Sequence, residues 1–320
     1  MKFSVGYQDR PGWTDAIVAR AADVCDVYFS FGAMPSGRAA VARVDRQLED
    51  LGRLADAGLR LNLLLNANCY GARALSKAFF NEVGETVDRF ASGGALASVT
   101  TTSPLVAKFV KDNFPGVRTR ASVNMEIGTE EGMDYLKDVF DGYYLKRELN
   151  RDLGAVRRLK AWCDACGKDL FLLANSGCLN FCSSHVFHDN LVAHEREIAR
   201  EENGYAYRGT CWTWLAKPEN RAKWLVRTNW IAPEDVAKYE GLCTAMKLAT
   251  RLNANPERVL LSYATGSHLG DVKDLLEPNH SSLWPRQFGQ DTGARRAGNV
   301  SDAPSRPRAT GSKNDQCKED

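Results

Sequence analysis

Residues 168–195 read Lys-Asp-Leu-Phe-Leu-Leu-Ala-Asn-Ser-Gly-Cys-Leu-Asn-Phe-Cys-Ser-Ser-His-Val-Phe-His-Asp-Asn-Leu-Val-Ala-His-Glu. Within them Leu170–Ala174 is short, continuous and apolar, and it stops at Asn175-Ser176-Gly177, the signature of a buried strand ending in a turn. Directly beyond come Cys178, Cys182, His185, His188, Asp189, His194 and Glu195, with three of the chain's 5 histidines between positions 185 and 194. A buried strand followed by a polar loop accounts for Leu170–Ala174. It does not account for two thiols and three imidazoles side by side, so chemistry is expected where this strand ends.

Outward from this stretch the same beat repeats. Strand-like runs at Lys2–Tyr7, Asp26–Phe31, Leu61–Asn66, Ala97–Thr102, Val117–Val123 and Asp141–Lys146 alternate with helical spacing, as in Val41–Ala57 and Leu153–Cys166. Past Cys178 the beat breaks. Asn190–Glu202 reads as a helix, and a tryptophan-rich loop carries Trp212, Trp214, Trp224 and Trp230. Leu225–Trp230 reads as an extra strand, Pro233–Gly241 as a short helix and Ala245–Thr250 as the last strand, with Val259–Tyr263 and a helix around Asp271–Leu276 as appendages. About eight alternations indicate a parallel α/β architecture. No phosphate-binding glycine fingerprint follows the first strand, which leaves a nucleotide-binding doubly wound sheet without support. The expected fold is therefore a (β/α)8 TIM-type barrel with working residues in the loops after its strands. It occupies residues 1–287 as one domain, with a long cysteine- and tryptophan-containing excursion after the seventh strand and an appended C-terminal segment. Residues 288–320 have almost no large apolar side chains and are expected to be a disordered tail.

Composition narrows the function classes. The net charge of +2 gives no whole-chain electrostatic footprint for nucleic acid, although a local patch is compatible with it. No apolar run approaches the roughly 18 residues of a membrane helix, so no membrane insertion is expected. The opening Met-Lys-Phe-Ser-Val-Gly-Tyr is no signal peptide. With 9 cysteines and no secretory signal, a reducing, cytoplasmic location is expected, where grouped thiols point to metal.

Barrel topology then sorts the thiols. Cys69 follows the third strand, Cys178 and Cys182 follow the seventh, and Cys211 lies in the excursion launched from the same face. Cys25 and Cys243 precede their strands, and Cys163 and Cys166 end the helix that leads into the central strand, so all four belong at the opposite end. Four thiolates on one face suit a 4Fe-4S cluster or zinc. On spacing alone, Cys178, Cys182, His188 and His194 form a rival zinc set. Arg120, Arg147 and Lys247 fall at or near strand ends, where they can hold a carboxylate or phosphate. His188 and Glu195 are acid–base candidates.

Four features together, namely the eight-beat barrel, Arg147-Glu148 closing the sixth strand, cysteines directly after the seventh, and Lys247-x-x-x-Arg251 ending the last, resemble the collagenase-like peptidase family "U-thirty-two". The resemblance spans roughly residues 1–255. It implies an oxygen-independent hydroxylase with a 4Fe-4S cluster on four cysteines, acting on an RNA base or on the aromatic ring of a quinone precursor, with prephenate as hydroxyl source. Arg147, Glu148, Cys178, Lys247 and Arg251 match its motifs by position. Lys-Leu-Ala-Thr-Arg stands where the family commonly has Lys-Ile-Glu-Gly-Arg, and Asn-Ser-Gly where it has His-Gly-Ala. Cysteine spacing beyond Cys178 also differs. These departures bear on the substrate more than on the cluster. Peptidase chemistry finds no support in the motifs: there is no Ser-His-Asp order, no G-x-S-x-G elbow and no H-E-x-x-H zinc helix.

The expectation is an iron–sulfur enzyme with ligands Cys69, Cys178, Cys182 and Cys211, and with Arg147, Glu148, His188, Glu195 and Lys247 in its active site. Its expected partners are a small aromatic molecule or RNA, together with a protein of the same family. The alternatives are a zinc-stabilised, non-catalytic module that binds a partner through residues 211–230, or a protease.

Overall fold

The computed structural model describes residues 1–37 and 43–284; the expected boundary at 287 and tail over 288–320 lie outside the described residues. Eight strands form the centre: β1 Phe3–Gly6, β2 Val24–Phe29, β3 Leu61–Leu65, β4 Leu96–Thr101, β5 Arg118–Ala121, β6 Gly142–Tyr144, β7 Asp169–Leu173 and β8 Ala245–Leu248. Each pairs in parallel with the next and β8 pairs with β1, so the sheet closes into a barrel. The TIM-type fold read from the sequence is the fold the chain adopts.

Helices α1 Trp13–Ala19, α2 Val44–Asp56, α3 Lys77–Ala91, α4 Pro104–Asn113, α5 Glu130–Asp134 and α6 Leu153–Ala165 fill the crossovers up to β7. Helix α3 shows why they form. Ser76 caps it by accepting from the Phe79 amide, and Phe79, Val83, Val87 and Phe90 fall on one buried face. Those side chains join the outer core between sheet and helices. Each such large apolar side chain contributes about 1.5–3 kcal/mol when fully buried.

A second, smaller core lies inside the barrel, where Val123, Tyr144, Phe171, Leu173 and Ala245 pack together. Much of the rest of the interior is polar, which departs from the branched apolar filling usual in this fold. Arg120 pairs with Asp26 at 2.6 Å and lies 4.4 Å from the centre of the Phe171 ring. The Ser4 hydroxyl donates to Asp26, and Thr100 donates to Asn62 at 2.9 Å. Arg120, expected at the barrel mouth as an anion holder, is instead paired within the barrel.

After β7 the chain makes its excursion through α7 His185–Ala193, α8 Glu195–Ile198, α9 Thr210–Ala216, α10 Pro218–Arg221 and α11 Trp224–Arg227. The strand expected over Leu225–Trp230 is a correction: residues 224–227 are one helical turn, and only Thr228 bridges to Leu179. Trp224 packs with Leu215 and Leu276 in a third small core, which a helical turn reaches and an unpaired strand would not. Val259–Tyr263 is no appendage. It lies in α12 Pro256–Thr265, the helix following β8, with Val259, Leu260 and Tyr263 buried. The helix expected around Asp271–Leu276 is a single 3-10 turn, Val272–Leu275.

Candidate functional site

The loop after β7 is fixed before any chemistry is considered. Asn175 donates from Nδ2 to the carbonyls of Ala249 (3.1 Å) and Leu275 (2.8 Å), and its Oδ1 accepts from the Ala249 amide at 2.6 Å. Gly177 is required by space: a Cβ there would lie 2.3 Å from the Pro278 carbonyl oxygen. The Cys178 carbonyl accepts from the Asn229 amide at 3.0 Å. Between the two thiols Phe181 adopts a left-handed φ of 54°, a conformation that costs a non-glycine residue on the order of 1–3 kcal/mol and gathers at functional sites. The other non-glycine residue with positive φ is Glu126, at 55°, after β5. Glu126 contacts Arg147, and Phe181 precedes Cys182, two residues that line one cavity.

That cavity, of about 140 Å3, opens at the C-terminal ends of the strands. Among its lining residues are Cys178, Cys182, Cys211, Arg147, His188 and Lys247. The sequence argument placed all six on this face, and the structure brings them together. The thiols are electrostatic neighbours: burial, then the closeness of Cys178 and Cys182, pushes the Cys211 thiol up to about 11.

Arg147 is buried and lines the same cavity, near enough to Cys178 for their charges to interact. It donates to Asn124 Oδ1 at 2.8 Å, contacts His185, and lies 3.5 Å from Glu126 and 3.8 Å from Asp189. His185 Nε2 lies 3.2 Å from Asp189. Burial raises the Asp189 carboxyl, but the hydrogen bond from His185 and the charge of Arg147 outweigh it and hold it below the usual range. Burial pushes the Glu126 carboxyl up. His185 and Asp189 belong to the cluster singled out after the seventh strand but were given no role there, and Asn124 and Glu126 were not assigned from the sequence. The available signal was Asn124-Met-Glu126 directly after a strand, at the barrel's working end.

Glu126, Glu148 and His185 present ligand atoms within 4.8 Å of one another, the one such group of three among the described residues. The Arg147 guanidinium already contacts Glu126 and His185, and a second cation there would meet its charge. Zinc in the thiol set requires tighter packing. Bonds of about 2.3 Å to a tetrahedral ion put sulfurs roughly 3.8 Å apart. The three thiols do not form a group within 4.8 Å.

Two expected members lie elsewhere. Cys69 and Glu195 line a neighbouring cavity with His194, Glu197 and Arg73. The physical cause is the chain path after β3, where Gly71 at φ 62° starts a 3-10 turn and donates its amide to the Cys69 sulfur at 3.4 Å. The Cys69 thiol hydrogen-bonds His194, and this bond, followed by the Gly71 amide, lowers its pKa. His194 in turn pairs with Glu197 through Nδ1. The rival zinc set is thereby divided, with His188 at the first cavity and His194 at the second. Cys243 sits against Met1, and Cys163 is buried on α6, both at the barrel's far end as expected. Cys25 is within β2 rather than before it, against Asp26.

No protein-family model matches the chain. An uncharacterized protease of Methanocaldococcus jannaschii, MJ1657, is 22% identical over 266 residues, covering 79% of this chain and 75% of its own. Among solved structures, the U32 peptidase Mk0906 matches with a TM-score of 0.56 at 15% identity, covering 77% of this chain and 91% of that one. The chain resembles the U-thirty-two peptidases. No helix among the described residues is long and apolar enough to cross a membrane.

Proposed function

We propose that the chain is an iron–sulfur enzyme of the oxygen-independent hydroxylase type, acting on a small aromatic molecule that carries an acid group. The observation that supports this reading is the gathering of Cys178, Cys182 and Cys211 around a cavity that also presents Arg147 and Lys247. The donors are soft thiols, three in number, which suits a 4Fe-4S cluster. Cys69, first expected as the fourth ligand, is engaged by His194, so the reading leaves the fourth position to substrate. Catalytic metal sites differ from structural ones in keeping such an open position. When bound, the cluster supplies one-electron and Lewis-acid chemistry that side chains lack.

The chain's own residues do the rest. Arg147 and Arg251 orient the acid group by charge-assisted hydrogen bonds. His188 and the His185–Asp189 pair hold or move protons at the wall. Leu173, Leu179 and Val192 exclude water. A cavity of about 140 Å3 suits one small molecule better than a stretch of RNA. Anaerobically purified protein should be brown and contain iron and acid-labile sulfide; colourless protein containing zinc would return the function to the zinc-stabilised binding module.

One observation favours a second reading. Cys69, His194 and Glu197 form a thiol–imidazole–carboxylate series, the nucleophile–base–orienter order of covalent acyl transfer. That series would suit the protease named in the relative. Peptide hydrolysis lost in both Cys69→Ala and His194→Ala, yet retained in Cys178→Ala, would favour it over the iron–sulfur enzyme.

A further inference from the structure

Lys247 projects from β8 into the barrel and is 8% exposed. Among the described residues its amine makes no hydrogen bond and no ion pair. Its amine faces two aromatic rings, Tyr28 at 4.1 Å and Tyr144 at 5.3 Å from their centres. An interior lysine that serves as a fixed positive charge is normally matched to a carboxylate, because an unpaired buried ammonium is costly. The carboxylate inside this barrel, Asp26, is already engaged by Arg120 and by the Ser4 hydroxyl. Burial, then the repulsion of Arg251, Arg147 and Arg120 against the opposing pull of Asp26, lowers the Lys247 pKa to about 7. A neutral primary amine lining a cavity is a nucleophile.

Another residue that lines the cavity carries a second unused group. The Arg147 Nε is a buried donor with no hydrogen-bond partner. An orphaned donor of this kind costs about 1–3 kcal/mol, more for a charged group, unless a ligand supplies the acceptor.

We propose that Lys247 captures the carbonyl carbon of a small acid-bearing aldehyde or ketone as an imine, while Arg147 holds the acid group. This rests on the reading of the cavity as the substrate site, and not on the identity of the metal. The neutral amine attacks the carbonyl carbon, whose π electrons move to oxygen; that oxygen takes up a proton and the nitrogen releases one, giving a carbinolamine. Protonation and departure of the hydroxyl as water leave the iminium. The balance is one ammonium and one carbonyl giving one iminium and one water, with no oxidant or reductant.

The test is reductive trapping on the full chain. Protein is incubated with pyruvate or with glyoxylate and sodium cyanoborohydride, digested, and mapped by mass. Lys247 should carry the reduced adduct at least about tenfold above the average surface lysine. Lys247→Met removes the amine without adding a buried charge, so it should fold and remove the adduct at that position. Arg147→Met should lower the ratio of pyruvate to acetaldehyde trapping several-fold, because acetaldehyde has no acid group and the ratio cancels the effect of the lost charge on the amine. Labelling at Lys247 no greater than at surface lysines with both acids would overturn the proposal, as would equal loss of pyruvate and acetaldehyde trapping in Arg147→Met. Trapping in protein that lacks iron would overturn the iron–sulfur reading alone; bound iron without trapping would overturn this one alone.

Discussion

Lys247 carries the clearest consequence for stability. Its folded pKa of about 7 lies below the roughly 10.4 of an exposed lysine, so between those values the unfolded chain binds the extra proton. Stability therefore rises with pH across that window, and the full penalty is present below pH 7. Replacing Lys247 by Met removes the penalty. The variant should be more stable than the parent at pH 6, by on the order of 1–4 kcal/mol, with the gain shrinking toward pH 10. Denaturant melts at both pH values check this; a gain equal at pH 6 and pH 10 would show that the amine does not titrate in the folded state. Arg147 behaves differently. Truncation to Met leaves Asp189 and Glu126 without their cation, and Asp189 should titrate closer to the ordinary carboxylate range. Backbone-assigned carboxyl NMR titration measures that shift, and an unmoved Asp189 would show that His185 alone sets it.

Among the elements, the loop after β7 makes the sharpest demand on sequence. Gly177→Ala forces a methyl group to within 2.3 Å of the Pro278 carbonyl, a backbone atom that cannot swing aside. Overpacking of this kind costs about 1–3 kcal/mol. The Cys178–Cys182 turn follows directly, so metal content should fall with stability. Normal melting and full metal loading in Gly177→Ala would mean that the segment around Pro278 gives way. The strands, the larger helices and the site's location were legible because each rests on local periodicity followed by a turn. The small helices between Thr210 and Arg227 were not, because their order comes from Trp224, Leu215 and Leu276 meeting across the chain. Cys69 shows the limit of topology: it follows a strand on the working face as expected, yet the Gly71 turn directs its thiol to His194. Glu126 and Asn124 escaped the sequence because their role exists only once β5 and β6 stand side by side.

For the whole molecule, the closed barrel makes the site a meeting place of separated segments. Asn124, Arg147, Cys178, Cys211 and Lys247 come from five places in the chain and share one cavity. A polar interior beneath it, with Asp26 and Arg120 paired and Lys247 unpaired, is an arrangement that a barrel built only for stability does not need. The central claim is that Cys178, Cys182 and Cys211 hold the metal at the barrel mouth. Iron and sulfide content of anaerobically purified single variants tests it most directly. The account predicts that Cys178→Ala, Cys182→Ala and Cys211→Ala each lose most of the iron and the brown charge-transfer absorption, while Cys69→Ala and Cys243→Ala keep both. Iron retained in Cys178→Ala and Cys182→Ala, or lost in Cys243→Ala, would contradict it.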